Sequence, residues 1–242
     1  MNLEKFQRWA LYRVFFSINF EIWDPFNTGG FFSVSKLTGI IYFLTVIPHY
    51  KQFFLTSYIK PIIVPIWIFF GWLTIISLSN INSVSSYFFD FSIFLNILLF
   101  WILINHERKV PGILARGLFS FALGSIALSL YYYFGFGVEY EYYGGRLSLF
   151  GDNANIIGMR MSISVIILMF TIVQNPFYLN KIRFLLIAAI PLMLKLMAET
   201  GSRVAFISFV LMFSLGVLLI KTKKTWHKLI VLAFGGILFT VI

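Results

Sequence analysis

The chain contains no cysteine. That absence excludes disulfides, thiolate nucleophiles and cysteine-ligated metals together. Charge is almost as scarce: Asp, Glu, Lys and Arg make up 12% of 242 residues, divided into nine acids and 19 bases, with only three histidines. No His, Asp or Glu residues pair at ligand spacing, so neither a metal nor any other cofactor is expected. The N-terminus lacks the small-residue cleavage site of a signal peptide. Its first apolar stretch is interrupted by Arg13 and Glu21, which suits an uncleaved anchor.

What fills the chain instead is apolar: 60% hydrophobic residues, 20% aromatics and a mean hydropathy of +0.88. Such a composition describes side chains that face lipid more than a water-soluble core. The expected fold class is all-α, a polytopic integral membrane protein forming one helical domain over 1–242. About nine apolar segments stand out, at 9–23, 34–47, 62–78, 85–104, 113–134, 154–173, 184–198, 204–220 and 229–242. Several fall short of the roughly 20 residues that cross about 30 Å of hydrocarbon, so short, tilted or re-entrant elements are expected among them.

The basic residues orient these segments. Fourteen of the 19 cations gather at alternate connections, at Lys5 to Arg13, Lys51 to Lys60, Arg108 to Arg116, Lys181 to Arg183 and Lys221 to Lys228. The positive-inside tendency assigns those connections, and the N-terminus, to the cytoplasm. The net charge of +10 thereby has a topological explanation and calls for no nucleic-acid partner. The five remaining cations, Lys36, Arg146, Arg160, Lys195 and Arg203, fall at the outer face. Seven of the nine acids join them there: Glu21, Asp24, Asp90, Glu139, Glu141, Asp152 and Glu199. Ionisable groups at a membrane boundary are costly enough to mark a pathway or a site, although Lys36, Glu21 and Lys195 also suit interfacial anchoring.

Three outer positions carry the sharpest expectations. The connection 135–153 is rich in tyrosine, fitting either a headgroup belt or a sugar-stacking surface, with Asp152 or Asn153 capping the next helix. Arg160, about one and a half turns into that apolar helix, must face a partner, a cavity or an anion. Thr200 and Ser202 read as caps around Gly201, which puts Arg203 in the first turn of a helix where the macrodipole is already positive. A cation there needs an anion nearby, either Glu199 or a phosphate held by the guanidinium and the free amides.

These strings resemble a known family. Gly145-Arg146-Leu-Ser-Leu-Phe-Gly-Asp-Asn-Ala-Asn155-Ile-Ile-Gly158, followed by Thr200-Gly201-Ser202-Arg203-Val-Ala, is similar to the O-antigen ligase and polymerase superfamily of bacterial surface-polysaccharide assembly. The early stretches Asn19-Phe-Glu-Ile-Trp-Asp-Pro and Phe32-Ser33-Val-Ser-Lys36-Leu resemble its first outer loop and second helix. The resemblance implies glycosyl transfer on the outer side of the bacterial inner membrane. The donor would be an oligosaccharide on undecaprenyl diphosphate, and the acceptor lipid A core (ligase) or a second lipid-linked repeat (polymerase). Arg203 and Arg146 match its arginine-bearing motifs and would neutralise the departing diphosphate. Asn155 matches an asparagine at a helix start, a substrate-binding position. Ser202 at the start of the helix bearing Arg203 joins that substrate-binding set, and so does Arg160, from its placement in the helix rather than from the family.

Members of that family carry further helices and a large outer loop bearing a histidine, whereas His49, His106 and His227 fall in cytoplasmic connections here. The last segment, 229–242, spans only about 21 Å as a helix. A C-terminally truncated member is therefore expected, holding the donor half of the site and leaving Glu199, Asp152 or Glu139 as the candidates for a base role within this chain. The competing class is a polysaccharide flippase or other secondary transporter. Such a protein calls for mid-helix polar residues and an internal repeat, neither of which is evident in the sequence. The cysteine-free background makes the orientation testable. A membrane-impermeant maleimide should label Glu141→Cys but not Lys51→Cys in intact cells, and equal labelling of both would overturn the orientation.

Overall fold

The computed structural model describes residues 3–26, 28, 32–57, 59–79, 84–140, 147–174, 177 and 181–219. Helices α1 (Leu3–Ser17), α2 (Val34–Val46), α3 (Tyr50–Phe53), α4 (Lys60–Ser79), α5 (Val84–Lys109) and α6 (Ile113–Tyr133) come first. An antiparallel hairpin of β1 (Val138–Tyr140) and β2 (Leu147–Leu149) follows, with Glu139 opposite Ser148. Helices α7 (Ala154–Gln174), α8 (Arg183–Glu199) and α9 (Arg203–Leu219) complete the described chain. The second to eighth apolar segments each coincide with a helix, and among the described residues the hairpin is the one addition to an otherwise helical architecture. Segment 229–242 lies outside the described residues.

The first segment departs most from expectation. Its helix starts at Leu3 and stops at Ser17, giving way to a 3-10 turn at Ile18–Phe20. The side chains beyond explain the stop, because Asn19 and Glu21 are drawn away to partners more than 100 residues distant. Among the described residues, three helices are long and apolar enough to cross a membrane: α4 over Lys60–Ser77, α6 and α7. That is fewer than the nine apolar segments. Helices α1, α2, α8 and α9 have only 15, 13, 17 and 17 residues, below the roughly 20 that a perpendicular crossing needs.

The chain divides into two compact units: Met1–Arg8 with Ile41–Arg116, and Trp9–Ile40 with Gly117–Ile242. In the first, α4 packs along α5 around Ile59, Ile63 and Ile97, with Trp67, Phe70 and Trp101 alongside. Apolar side chains such as Ile68 and Trp72 remain 69% and 63% exposed on α4, an arrangement that lipid solvates far better than water. Near the basic end of α5, Asn105 donates to the carbonyls of Phe53 (2.9 Å) and Leu55 (3.2 Å), fixing α3 against it. His106, buried beside Tyr42 and hydrogen-bonded to its hydroxyl at 2.8 Å, lies beyond the apolar stretch 85–104. Burial, with Lys109 and Arg8 adding to it, pushes its pKa down to about 4. It is therefore a neutral packing residue near pH 7.

In the second unit α7 is the central element, packing along α8, α9 and β2. Ile157, Met161, Val165 and Leu168 recur at helical spacing and enter a core with Leu194, Met197 and Ala205. The same face of α7 meets α6 through a buried polar string. Ser164 and Ser125 share a hydrogen bond of 2.6 Å, Ser125 donates to Asn19 Oδ1 at 2.6 Å, and Asn19 Nδ2 donates to the Phe121 carbonyl at 2.9 Å. Small polar residues let apolar helices approach closely while satisfying one another. Gly124 belongs to the same contact: a Cβ there would press into the Phe16 carbonyl oxygen and lie 2.7 Å from Asn19 Nδ2. Gly124→Ala should accordingly cost about 1–3 kcal/mol, read as a lower Tm in detergent. Gly39→Ala, with nothing within 4 Å, is the control, and equal Tm values for the two variants would refute the close approach.

Candidate functional site

The α8–α9 turn is built from its own sequence. Thr200 Oγ1 donates to the Met197 carbonyl at 2.6 Å, ending α8, and Gly201 takes φ +59°, the left-handed value a glycine adopts without strain. Ser202 Oγ accepts from the Ala205 amide at 3.2 Å, an N-cap for α9. The turn presses against α7 at Gly158, where a Cβ would lie 2.8 Å from Ala205 Cβ, 2.9 Å from Thr200 Oγ1 and 3.1 Å from Ser202 Cβ. Thr200 and Ser202 are thus buried, while Arg203, the first residue of α9, is exposed. Among the described residues Arg203 has no ion-pair partner, Glu199 included. The Arg203 and Val204 amides likewise have no acceptor among those residues.

Arg160 has the opposite surroundings. The chain leaving β2 makes a tight turn in which Phe150 adopts φ +56°, a costly value for a bulky residue. Its ring is held by stacking on Trp23 at 5.8 Å and by an edge contact with Tyr131 at 6.0 Å. Gly137 leaves space for that ring, since a Cβ there would lie 2.5 Å from it. The turn delivers Asp152 beneath α7. One carboxylate oxygen of Asp152 accepts from the Asn153 amide at 2.8 Å, and the other accepts from Arg160 Nη1. Asn153 Oδ1 accepts from the Asn155 amide at 2.8 Å, capping α7. Arg160 Nη2 donates to Glu21 Oε2 at 2.7 Å. The side chains of Arg160 and Asp152 are 8% and 7% exposed, that of Glu21 58%. The guanidinium is therefore shared between a buried carboxylate and an open one.

These contacts sort the expected site residues. Ser202 acts as a cap and sits against Gly158, with Arg203 exposed beside it. Asn155, half-buried in the first turn of α7, is three residues from Gly158 and so shares its side of the helix. Arg160, two residues beyond Gly158, is about 200° around the helix and faces Glu21 and Asp152 instead. It does not share the surroundings of Ser202. Arg146 lies outside the described residues. Charge sorting placed Glu21, Asp152 and Arg160 on one side of the membrane, but nothing local in the sequence pairs residues 139 positions apart. The comparisons add no precedent, for no protein-family model, curated protein or solved structure matches the chain.

Removing either carboxylate separates their roles. Asp152→Asn strands a buried guanidinium and should cost about 3–5 kcal/mol, whereas Glu21→Gln at the open end should cost about 1 kcal/mol or less. Thermal unfolding of the detergent-purified variants measures both, and similar losses would refute this division.

Proposed function

We propose that this chain acts in membrane glycosyl transfer during bacterial surface-polysaccharide assembly, as a polytopic inner-membrane protein with its site facing outward. The observation that carries this reading is Arg203, exposed and unpaired among the described residues at the start of α9. Beside it are amides without acceptors among those residues. A helix start with a free guanidinium suits a phosphate group, because both the macrodipole and the N–H groups favour negative charge there. The Thr200-Gly201-Ser202-Arg203 string, with its resemblance to O-antigen ligases and polymerases, supplies the identity of the anion: the diphosphate of an undecaprenyl-linked oligosaccharide.

In this reading an acceptor hydroxyl attacks the anomeric carbon and the bond from that carbon to the diphosphate oxygen breaks. Negative charge then builds on the leaving diphosphate. Arg203 and the α9 amides meet that charge, with Arg146 as the second cation and Asn155 as a sugar or phosphate contact. Ser202 holds the helix start in place. The hydroxyl proton passes to solvent water, because both Asp152 oxygens are already engaged, by the Asn153 amide and by Arg160.

Arg203→Ala should reduce surface polysaccharide at least about 100-fold, as loss of one transition-state donor does, at unchanged membrane abundance. Arg203→Lys should recover little, because an ammonium cannot make the paired contact of a guanidinium. Full polysaccharide in the alanine variant would sink the proposal.

A further inference from the structure

The two carboxylates on Arg160 are not equivalent, and the difference has chemical content. Asp152 is buried, held by the strained turn at Phe150 and engaged through both oxygens. It is a permanent partner. Glu21 lies in the bend after the 3-10 turn, its side chain 58% exposed, with Oε2 alone reaching Nη2. An ion pair with one solvated partner contributes little net free energy, since water competes for the carboxylate. Arg160 Nη2 itself is not free to turn to water, because its side chain is 8% exposed and Nη1 is fixed on Asp152. If Glu21 swings outward, Nη2 needs another acceptor, and the cost of leaving a buried charged donor unpaired favours whichever anion enters.

We propose that Glu21 is a displaceable carboxylate holding, on Arg160, the place of an external phosphate-class anion. Phosphate suits the position because its oxygens accept charge-assisted hydrogen bonds from a guanidinium as a carboxylate does, with more acceptors and more charge. Glu21 then acts as a gate, repelling an arriving anion until it leaves Nη2. The site is separate from Arg203, which faces the solvent from α9. It stands whether or not the glycosyl-transfer reading holds, and within that reading it is a second phosphate contact for a lipid-linked diphosphate.

The test is the binding of inorganic pyrophosphate and of farnesyl diphosphate to the detergent-purified chain by calorimetry. Glu21→Gln keeps the shape and removes the competing charge, and it should tighten pyrophosphate binding about fivefold or more, the effect expected of removing one nearby like charge. Arg160→Lys in the same background should abolish the gain while keeping a cation for Asp152, with a retained unfolding transition as the check on folding. The gain should persist with Arg203→Ala, which separates this inference from the proposal for Arg203. Tightening for farnesyl diphosphate alone assigns the site to a lipid-linked anion, and tightening for both probes assigns it to phosphate in general. Unchanged or weaker binding of both probes by Glu21→Gln overturns the inference, as does a gain that survives Arg160→Lys.

Discussion

The buried guanidinium of Arg160 is the constraint on which the second unit depends. A cation that deep in an apolar helix is tolerated only with anions brought to it. Here two segments supply them, the remote bend at Glu21 and the adjacent turn at Asp152. The consequences run outward from that pairing. The chain leaves α1 early, in a 3-10 turn, so that Glu21 can reach the helix. The turn after β2 accepts an unfavourable backbone angle at Phe150, offset by stacking against Trp23 and Tyr131.

On another side of α7 the organising principle is steric rather than ionic. Gly158 removes the one Cβ that would keep the α8–α9 turn away, so Thr200 and Ser202 are buried and satisfied while Arg203 is left in the open. The two arginines, one on α7 and one opening α9, thus have different environments. Arg160 is neutralised by protein carboxylates and Arg203, among the described residues, is not, and for that reason the donor-binding role is proposed for Arg203 first.

Most of the helices were legible in the amino-acid pattern, because a run of apolar residues in lipid has few alternatives to a hydrogen-bonded helix. Starts and stops at α2, α4, α6, α7, α8 and α9 fall within two residues of the apolar boundaries, and the Ser202 cap and Gly201 turn follow from local chemistry alone. Less legible were the hairpin, the early end of α1 and the division into two units. The last two depend on contacts between segments far apart in the chain, such as Asn19 with Phe121 and Ser125 with Ser164.

By itself the sequence determined the apolar composition, the helical content and the capped start of α9, all consequences of composition and short-range spacing. Only the tertiary structure decided which cation is spoken for. Arg160 and Arg203 look alike in sequence, each placed near the start of an apolar run. Whether a guanidinium is paired depends on what the fold carries to within hydrogen-bonding distance, and Glu21 comes to Arg160 from 139 residues away.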